Sequence, residues 1–282
     1  MIIETIKELR SLVSSYKREG KTIGFVPTMV FLHEGHLSVI RRAKADNDIV
    51  VVSDFVNPTQ FAPNEDFDSY PRDIERDEQL AKSAGADIIF YPSVSEMYPE
   101  GSSTFVEVEG DITKVLCGAS RPSHFRGVTT VVAMLFNIVK AHKAYFGQKD
   151  AQQAAVLIQM VRDMHMDIEL IVCPIVREED GLAMSSRNTY LSDEERKQAL
   201  ILSQALKVAQ AAFDGGENSI ASLKEIITNK INEMPLANID YVSIYEYPSL
   251  KVINDIEEKA IAAVAVKFGK TRLIDNIILE KK

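Results

Sequence analysis

The chain has 282 residues, 46% of them hydrophobic, and carries 41 acidic against 32 basic side chains for a net charge of −9. That length allows one large or two medium domains with a proper core, while the acidic balance argues against a nucleic-acid partner, so any phosphate site must be local. The N-terminus lacks a basic region followed by an apolar stretch, no run approaches the roughly 18 apolar residues of a membrane span, and Cys117 and Cys173 lack metal or redox spacing; a cytoplasmic chain with no membrane partner is expected, its cysteines buried as small hydrophobes.

In chain order, residues 22–26 form a short apolar run that fits a buried parallel strand. Directly after it come Pro27, Thr28, Met29, Val30, Phe31, Leu32, His33, Glu34, Gly35 and His36. The two histidines thus fall where a strand's carboxyl end turns into a helix, the usual ligand crevice of an open α/β sheet. Three apart, they share a face once the helix starts, beside unpaired N–H groups that suit an anion such as a triphosphate. A loop with two solvated histidines is the plainer alternative. Residues 36–46 are then helical, 48–56 nearly continuously β-branched, 72–85 polar and helix-periodic, and 86–91 strand-like. Helices are expected over 127–141 and 151–164, and strands over 143–146 and 167–176. Near-continuous apolar strands alternating with helices imply an α/β fold, a parallel sheet with helices on both faces.

The character changes near residue 187. Ser192, Asp193, Glu194 and Glu195 match a capping box opening a long helix that stops near Gly215 and Gly216. A helix over 219–233 and strand-like runs over 239–245 and 260–268 complete a small α+β domain. The expected division is therefore 1–186 and 187–282.

Other polar clusters follow the inferred strands. Asn57 and Gln60 come after the second, pointing either into the histidine crevice or into an Asn-Pro turn. Gly147, Gln148, Lys149 and Asp150 sit between a strand and a helix, where glycine and lysine can approach a phosphate together, although without P-loop spacing. Asp150 and Gln153 could equally be a helix N-cap and its N3 partner. After the last strand, Met184, Ser185, Ser186 and Arg187 follow the acidic turn at 177–181, as a mobile anion clamp or as a solvated linker. Four such clusters on one edge of a sheet favour a site.

These segments, with Tyr70-Pro71-Arg72, Arg121 through His124 and Phe125, and Gly181 through Asn188, resemble the pantoate:beta-alanine ligase (pantothenate synthetase) family in the family's order through most of residues 22–192. The resemblance implies a Rossmann-like nucleotidyl-transferase domain, a small C-terminal lid and a homodimer. It implies pantoate attack on the α-phosphate of ATP to give pantoyl adenylate and pyrophosphate, then displacement of AMP by beta-alanine, with magnesium accompanying ATP. His36 becomes the proton donor. Residues 27–36, 147–150, Val176 and 184–187 become the ATP site, with His33, Lys149, Ser185, Ser186 and Arg187 stabilising developing charge. Gln60 and Gln153 become pantoate ligands, with Asn57 and His124 near the substrate and Asp77 the magnesium candidate. Val30 stands where the family has glycine, Asp54 where it has an apolar strand residue, and Ala151 where tyrosine is common. Valine would strain a position that requires positive φ. Two rival readings are another nucleotidyl transferase of the superfamily, which would need more basic substrate residues than two glutamines, and a non-catalytic nucleotide-binding module, which would tolerate loss of His36 or Lys149.

Overall fold

The computed structural model describes residues 1–61, 67 and 71–281, so Tyr70 of the sequence motif lies outside the described residues. By contact the chain divides into two units, Met1–Thr113 with Ser120–Pro174, and Lys114–Ala119 with Ile175–Lys282.

In the first unit, strands β1 (Ile2–Ile3), β2 (Ile23–Thr28), β3 (Ile49–Asp54), β4 (Ile88–Phe90), β5 (Lys143–Gly147) and β6 (Glu169–Cys173) form one parallel sheet of order β1-β4-β3-β2-β5-β6. Along the chain run helices α1 (Ile6–Arg18), α2 (Glu34–Asp46), α3 (Ile74–Ser83), α4 (Val94–Met97), α5 (Cys117–Ser120), whose first three residues belong to the second unit, α6 (His124–Val139) and α7 (Ala151–Asp163). Strand residues alternate between two faces, and both faces are apolar because both are covered. Phe25, Val51, Ile88 and Ala144 pack with Leu9 and Val13 of α1 and with Val128 through Val139 of α6. Val26, Val50, Val52, Ile89 and Tyr145 pack with Leu37 and Ile40 of α2 and Ala81 of α3. The expected α/β sheet is therefore present. The order reverses between β2 and β5, which opens a ligand crevice at their carboxyl ends.

The second unit has an antiparallel sheet of β7 (Ala237–Glu246), β8 (Lys259–Phe268) and β9 (Thr271–Glu280), with helices α8 (Asp193–Ala199), α9 (Ile201–Asp214) and α10 (Ile220–Ile231). Leu202, Leu206, Phe213, Leu223 and Ile227 share its core with Val264, Val266 and Phe268. Among the described residues, no helix is long and apolar enough to cross a membrane.

Several elements differ from expectation. Helix α1, capped by Thr5, is absent from the sequence reading. So is β9, whose apolar alternation is interrupted by Asp275 and Asn276. Both are buried, and Asp275 takes a bidentate pair from Arg177 at 2.6 and 3.0 Å. The single helix expected after Ser192 is α8 and α9, parted at Leu200, although the Ser192/Glu195 capping box is present. The composition change near residue 187 lies inside the second unit. Residues 175–186 belong with that unit because Arg177 pairs with Ala183 as an isolated bridge and with Asp275 on β9. Cys173 is buried as expected, whereas Cys117 is half-buried, its thiol 3.6 Å from both the Tyr241 hydroxyl and Arg272.

One packing contact fixes the turn after β3 against α6. Gly127 on α6 lies so close to the turn after β3 that a Cβ there would stand 2.4 Å from Thr59 O and 2.7 Å from the Gln60 Cα. Gly127→Ala should therefore destabilise the chain by about 1–3 kcal/mol, as overpacking does, read as a lowered midpoint in urea; an unchanged midpoint would show that the turn yields freely.

Candidate active site

The segment between β2 and α2 is built around backbone groups that need partners. A helix leaves its first N–H groups unsatisfied, and here two imidazoles take them. His33, the N-cap of α2, accepts from the Gly35 N–H through Nδ1 at 3.2 Å, and His36 Nδ1 accepts from the His33 N–H at 3.3 Å. The rings lie with centroids 4.0 Å apart and planes tilted by 30°. With each Nδ1 accepting, each neutral ring carries its proton on Nε2, a tautomer assigned from the hydrogen bonds. Burial, then His33 and Lys149, hold the His36 pKa well below its ordinary value. His36 is thus a neutral imidazole at pH 7. Lys149 follows β5, the neighbour of β2, in the turn Gln148–Asp150. Its cation, two neutral N–H donors and a helix start suit an oligophosphate anion.

Ahead of the histidines the chain takes two consecutive left-handed residues, Val30 at φ 61° and Phe31 at φ 53°. Position 30 takes positive φ, and a β-branched residue held there stores about 1–3 kcal/mol. The turn is braced from α3. The Asp77 carboxylate accepts from the N–H groups of Phe31 and, at 2.8 Å, Leu32, while Arg76 donates to Leu32 O at 2.8 Å and covers the Phe31 ring at 4.8 Å. Both Asp77 oxygens are engaged, and Arg76 pairs with one at 3.1 Å. The magnesium candidate therefore serves the loop, and among the described residues no group of three or more His, Cys, Asp or Glu side chains could hold a metal ion. Neither bracing role was visible in the sequence, because α3 is polar along its length and nothing marks Arg76 or Asp77 as a partner of the loop.

Asp54 ends β3 opposite Thr28 and is buried. Thr28 Oγ1 donates to Asp54 Oδ1 at 3.2 Å and to Ser53 O at 2.8 Å. The Val30 N–H favours the charged carboxylate, but burial, then Asp77, push the Asp54 pKa up to about 7. Burial also raises the pKa of Asp77.

The substrate candidates form a second group. Gln60 is buried, its amide oxygen accepting from Asn57 Nδ2 at 3.1 Å and its amide nitrogen against Met29 Sδ. Asn57 is wholly occupied with structure: it also donates to Gly127 O at 3.2 Å and accepts from Tyr98 OH at 2.7 Å and from Thr59. It positions Gln60 and the turn, so the Asn-Pro turn is realised. His124, opening α6, meets Gln60 O through Nδ1 at 3.0 Å, and Arg121 donates to the same carbonyl at 3.2 Å. Gln153 lies half-buried in the first turn of α7, next to Gln152, whose amide donates to Ile112 O. Asp150 is exposed and makes no side-chain cap for α7, so the capping alternative is not realised. Ala151 is buried as the first residue of α7.

Val176 and residues 184–187 belong to the second unit. Met184 N donates to Val176 O at 3.0 Å, Ser185 Oγ caps the turn Ser186–Tyr190 by accepting from Arg187 N, and Asn188 donates to Glu178 at 2.7 Å. Arg196 pairs with Glu178 at 2.7 Å and Asp180 at 2.6 Å. The serines and arginine thus ride on an anchored turn rather than on a solvated linker.

Matches to known proteins cover nearly the whole chain. A family model described as pantoate-beta-alanine ligase matches residues 1–278. The chain is 59% identical to a pantothenate synthetase of Thermotoga neapolitana and 57% identical to one of Acetivibrio thermocellus, each over 99% of both chains. A crystal structure of pantothenate synthetase from Thermus thermophilus superposes with a TM-score of 0.94 at 45% identity over 99% of each chain. One of pantoate-beta-alanine ligase from Francisella tularensis, complexed with beta-gamma ATP and beta-alanine, superposes with a TM-score of 0.81 at 37% identity over 100% of this chain and 98% of the other.

The buried carboxylate gives a pH test. Between its unfolded value of 3.8 and about 7, folded Asp54 keeps a proton that the unfolded chain has lost. Stability therefore falls as pH rises through that window, by up to about 1.4 kcal/mol per pH unit. Asp54→Asn removes this slope, so its stability gain over the unsubstituted chain should be largest near pH 8 and vanish toward pH 4 in urea titrations. An equal gain at both ends would refute the assignment.

Proposed function

The chain belongs to the pantoate-beta-alanine ligase family, and on that premise we propose how its own residues carry out the ATP-dependent joining of pantoate to beta-alanine. It is a ligase that forms the amide bond of pantothenate, with ATP as substrate. The observation that carries the reading is the His33/His36 pair at the start of α2, with His36 neutral and Lys149 beside it.

In the first step a pantoate carboxylate oxygen attacks the α-phosphorus of ATP. A P–O bond forms to the acid, the bond to the β-phosphate oxygen breaks, and pyrophosphate leaves with the electron pair. The carboxylate is a weak nucleophile, so the step needs charge stabilisation more than covalent help. Lys149 supplies a cation. His36, neutral, supplies a hydrogen bond from Nε2–H as negative charge grows on the pyrophosphate, which refines its family role as proton donor. His33 supplies a second such donor. Residues 27–36 and 147–150 hold the nucleotide. Gln60 and Gln153 bind pantoate, since an amide donates to a carboxylate and both donates to and accepts from a hydroxyl. Asn57, Arg121 and His124 hold Gln60 in place. In the second step the free amine of beta-alanine attacks the acyl carbon, the C–O bond to AMP breaks, and the nitrogen loses a proton.

Magnesium accompanying ATP would supply charge neutralisation at the phosphates. Asp77 is committed to the loop and is left out of its coordination. Homodimerisation and a cytoplasmic location complete the proposal and rest on the family resemblance.

Enzyme at high concentration with magnesium, ATP and pantoate should release a burst of about one pyrophosphate per site without beta-alanine, the mark of an accumulating intermediate. Strict dependence of that burst on beta-alanine would refute the two-step route.

A further inference from the structure

Stability does not account for a carboxylate at residue 54. Asp54 is 1% exposed, faces a second buried carboxylate at Asp77, and among the described residues its Oδ2 has no hydrogen-bond partner. Such a group is unfavourable for a fold. What it touches is specific. Asp54 stands in register with Thr28, the last residue of β2, takes its hydroxyl, and lies against the N–H of Val30. Val30 is the first of the two left-handed residues, and Asp77 holds the N–H groups of the next two, Phe31 and Leu32. Three successive backbone donors thus face two carboxylates. Asp77 covers the later two, and only Asp54 reaches the residue whose β-branched side chain resists this conformation.

We propose that Asp54 is a positioning residue for ATP binding, holding Thr28 and the Val30 N–H so that the left-handed turn presents residues 29–36 to the nucleotide. The inference rests on the reading of those residues as a nucleotide loop. With glycine at position 30 the turn would need no such hold, because glycine adopts positive φ freely. The two side chains should therefore be energetically coupled.

The test is a double-mutant cycle on Asp54→Leu and Val30→Gly, read by calorimetry with a non-hydrolysable ATP analogue and by steady-state pyrophosphate release. Asp54→Leu should weaken analogue binding about tenfold with valine at position 30 and less than about twofold with glycine there. KM for ATP should rise while kcat and KM for pantoate stay near their original values. Asp54→Asn, which keeps an acceptor for Thr28 and Val30, should restore affinity. Equal losses in both backgrounds, or a fall in kcat with KM for ATP unchanged, would overturn the proposal. If Asp54→Leu does not fold, Asp54→Ser enters the same cycle and is judged by the same coupling. An unsubstituted chain with no affinity for the analogue would instead refute the nucleotide-loop reading beneath it.

Discussion

The first turn of α2 leaves backbone N–H groups without intrahelical partners, and in this chain imidazole nitrogens accept from two donors of that corner, Gly35 and His33. The choice has two consequences. Each ring is fixed in orientation by a hydrogen bond at Nδ1, and each is left with its proton on Nε2, on the side away from the helix backbone. A serine or aspartate cap would satisfy the same groups but would present no outward donor. The cap and the candidate anion site are therefore one structure.

Electrostatics then decides what the histidines can do. Burial, the neighbouring imidazole and the Lys149 cation all oppose a charge on His36, so the ring stays neutral. A neutral ring donates a hydrogen bond without the desolvation cost of a buried cation, and the full positive charge is left to Lys149 in the turn after the neighbouring strand. The sheet makes this possible, because β2 and β5 are neighbours and the chain leaves them toward opposite sides. The loop ahead of the histidines is less comfortable. Its left-handed Val30 and Phe31 persist because Asp77, Arg76 and Asp54 oppose relaxation from two sides. Strain held in place by its surroundings is common at functional sites.

Much of this was legible in the sequence. The apolar runs gave the parallel sheet, and a histidine pair three apart after the first run marked the end of a strand where ligands bind. Valine at position 30 was visible as a conflict with a glycine position, and its φ of 61° bears that out. What stayed hidden depended on partners distant in sequence. The bracing contacts of Asn57 could not be foreseen, because its partners Gly127 and Tyr98 lie on other elements. Asp77 looked like a metal ligand, yet its oxygens meet the N–H groups of a loop more than forty residues earlier. Strand β9 escaped notice because Asp275 and Asn276 break its alternation, and the Arg177 that makes Asp275 tolerable is 98 residues away. Polar residues buried by long-range pairs carry no local signal.

The neutral, Nε2-protonated His36, capped together with His33, is the central claim, and nitrogen NMR of the imidazoles tests it most directly. In the ligand-free protein, His33 and His36 should each show an unprotonated Nδ1 and a protonated Nε2 at pH 7. The His36 signals should hold steady from about pH 6 to 8, where an ordinary histidine near 6.5 titrates. A His36 that titrates near 6.5, or a proton on its Nδ1, would contradict the capping geometry and the mechanism built on it.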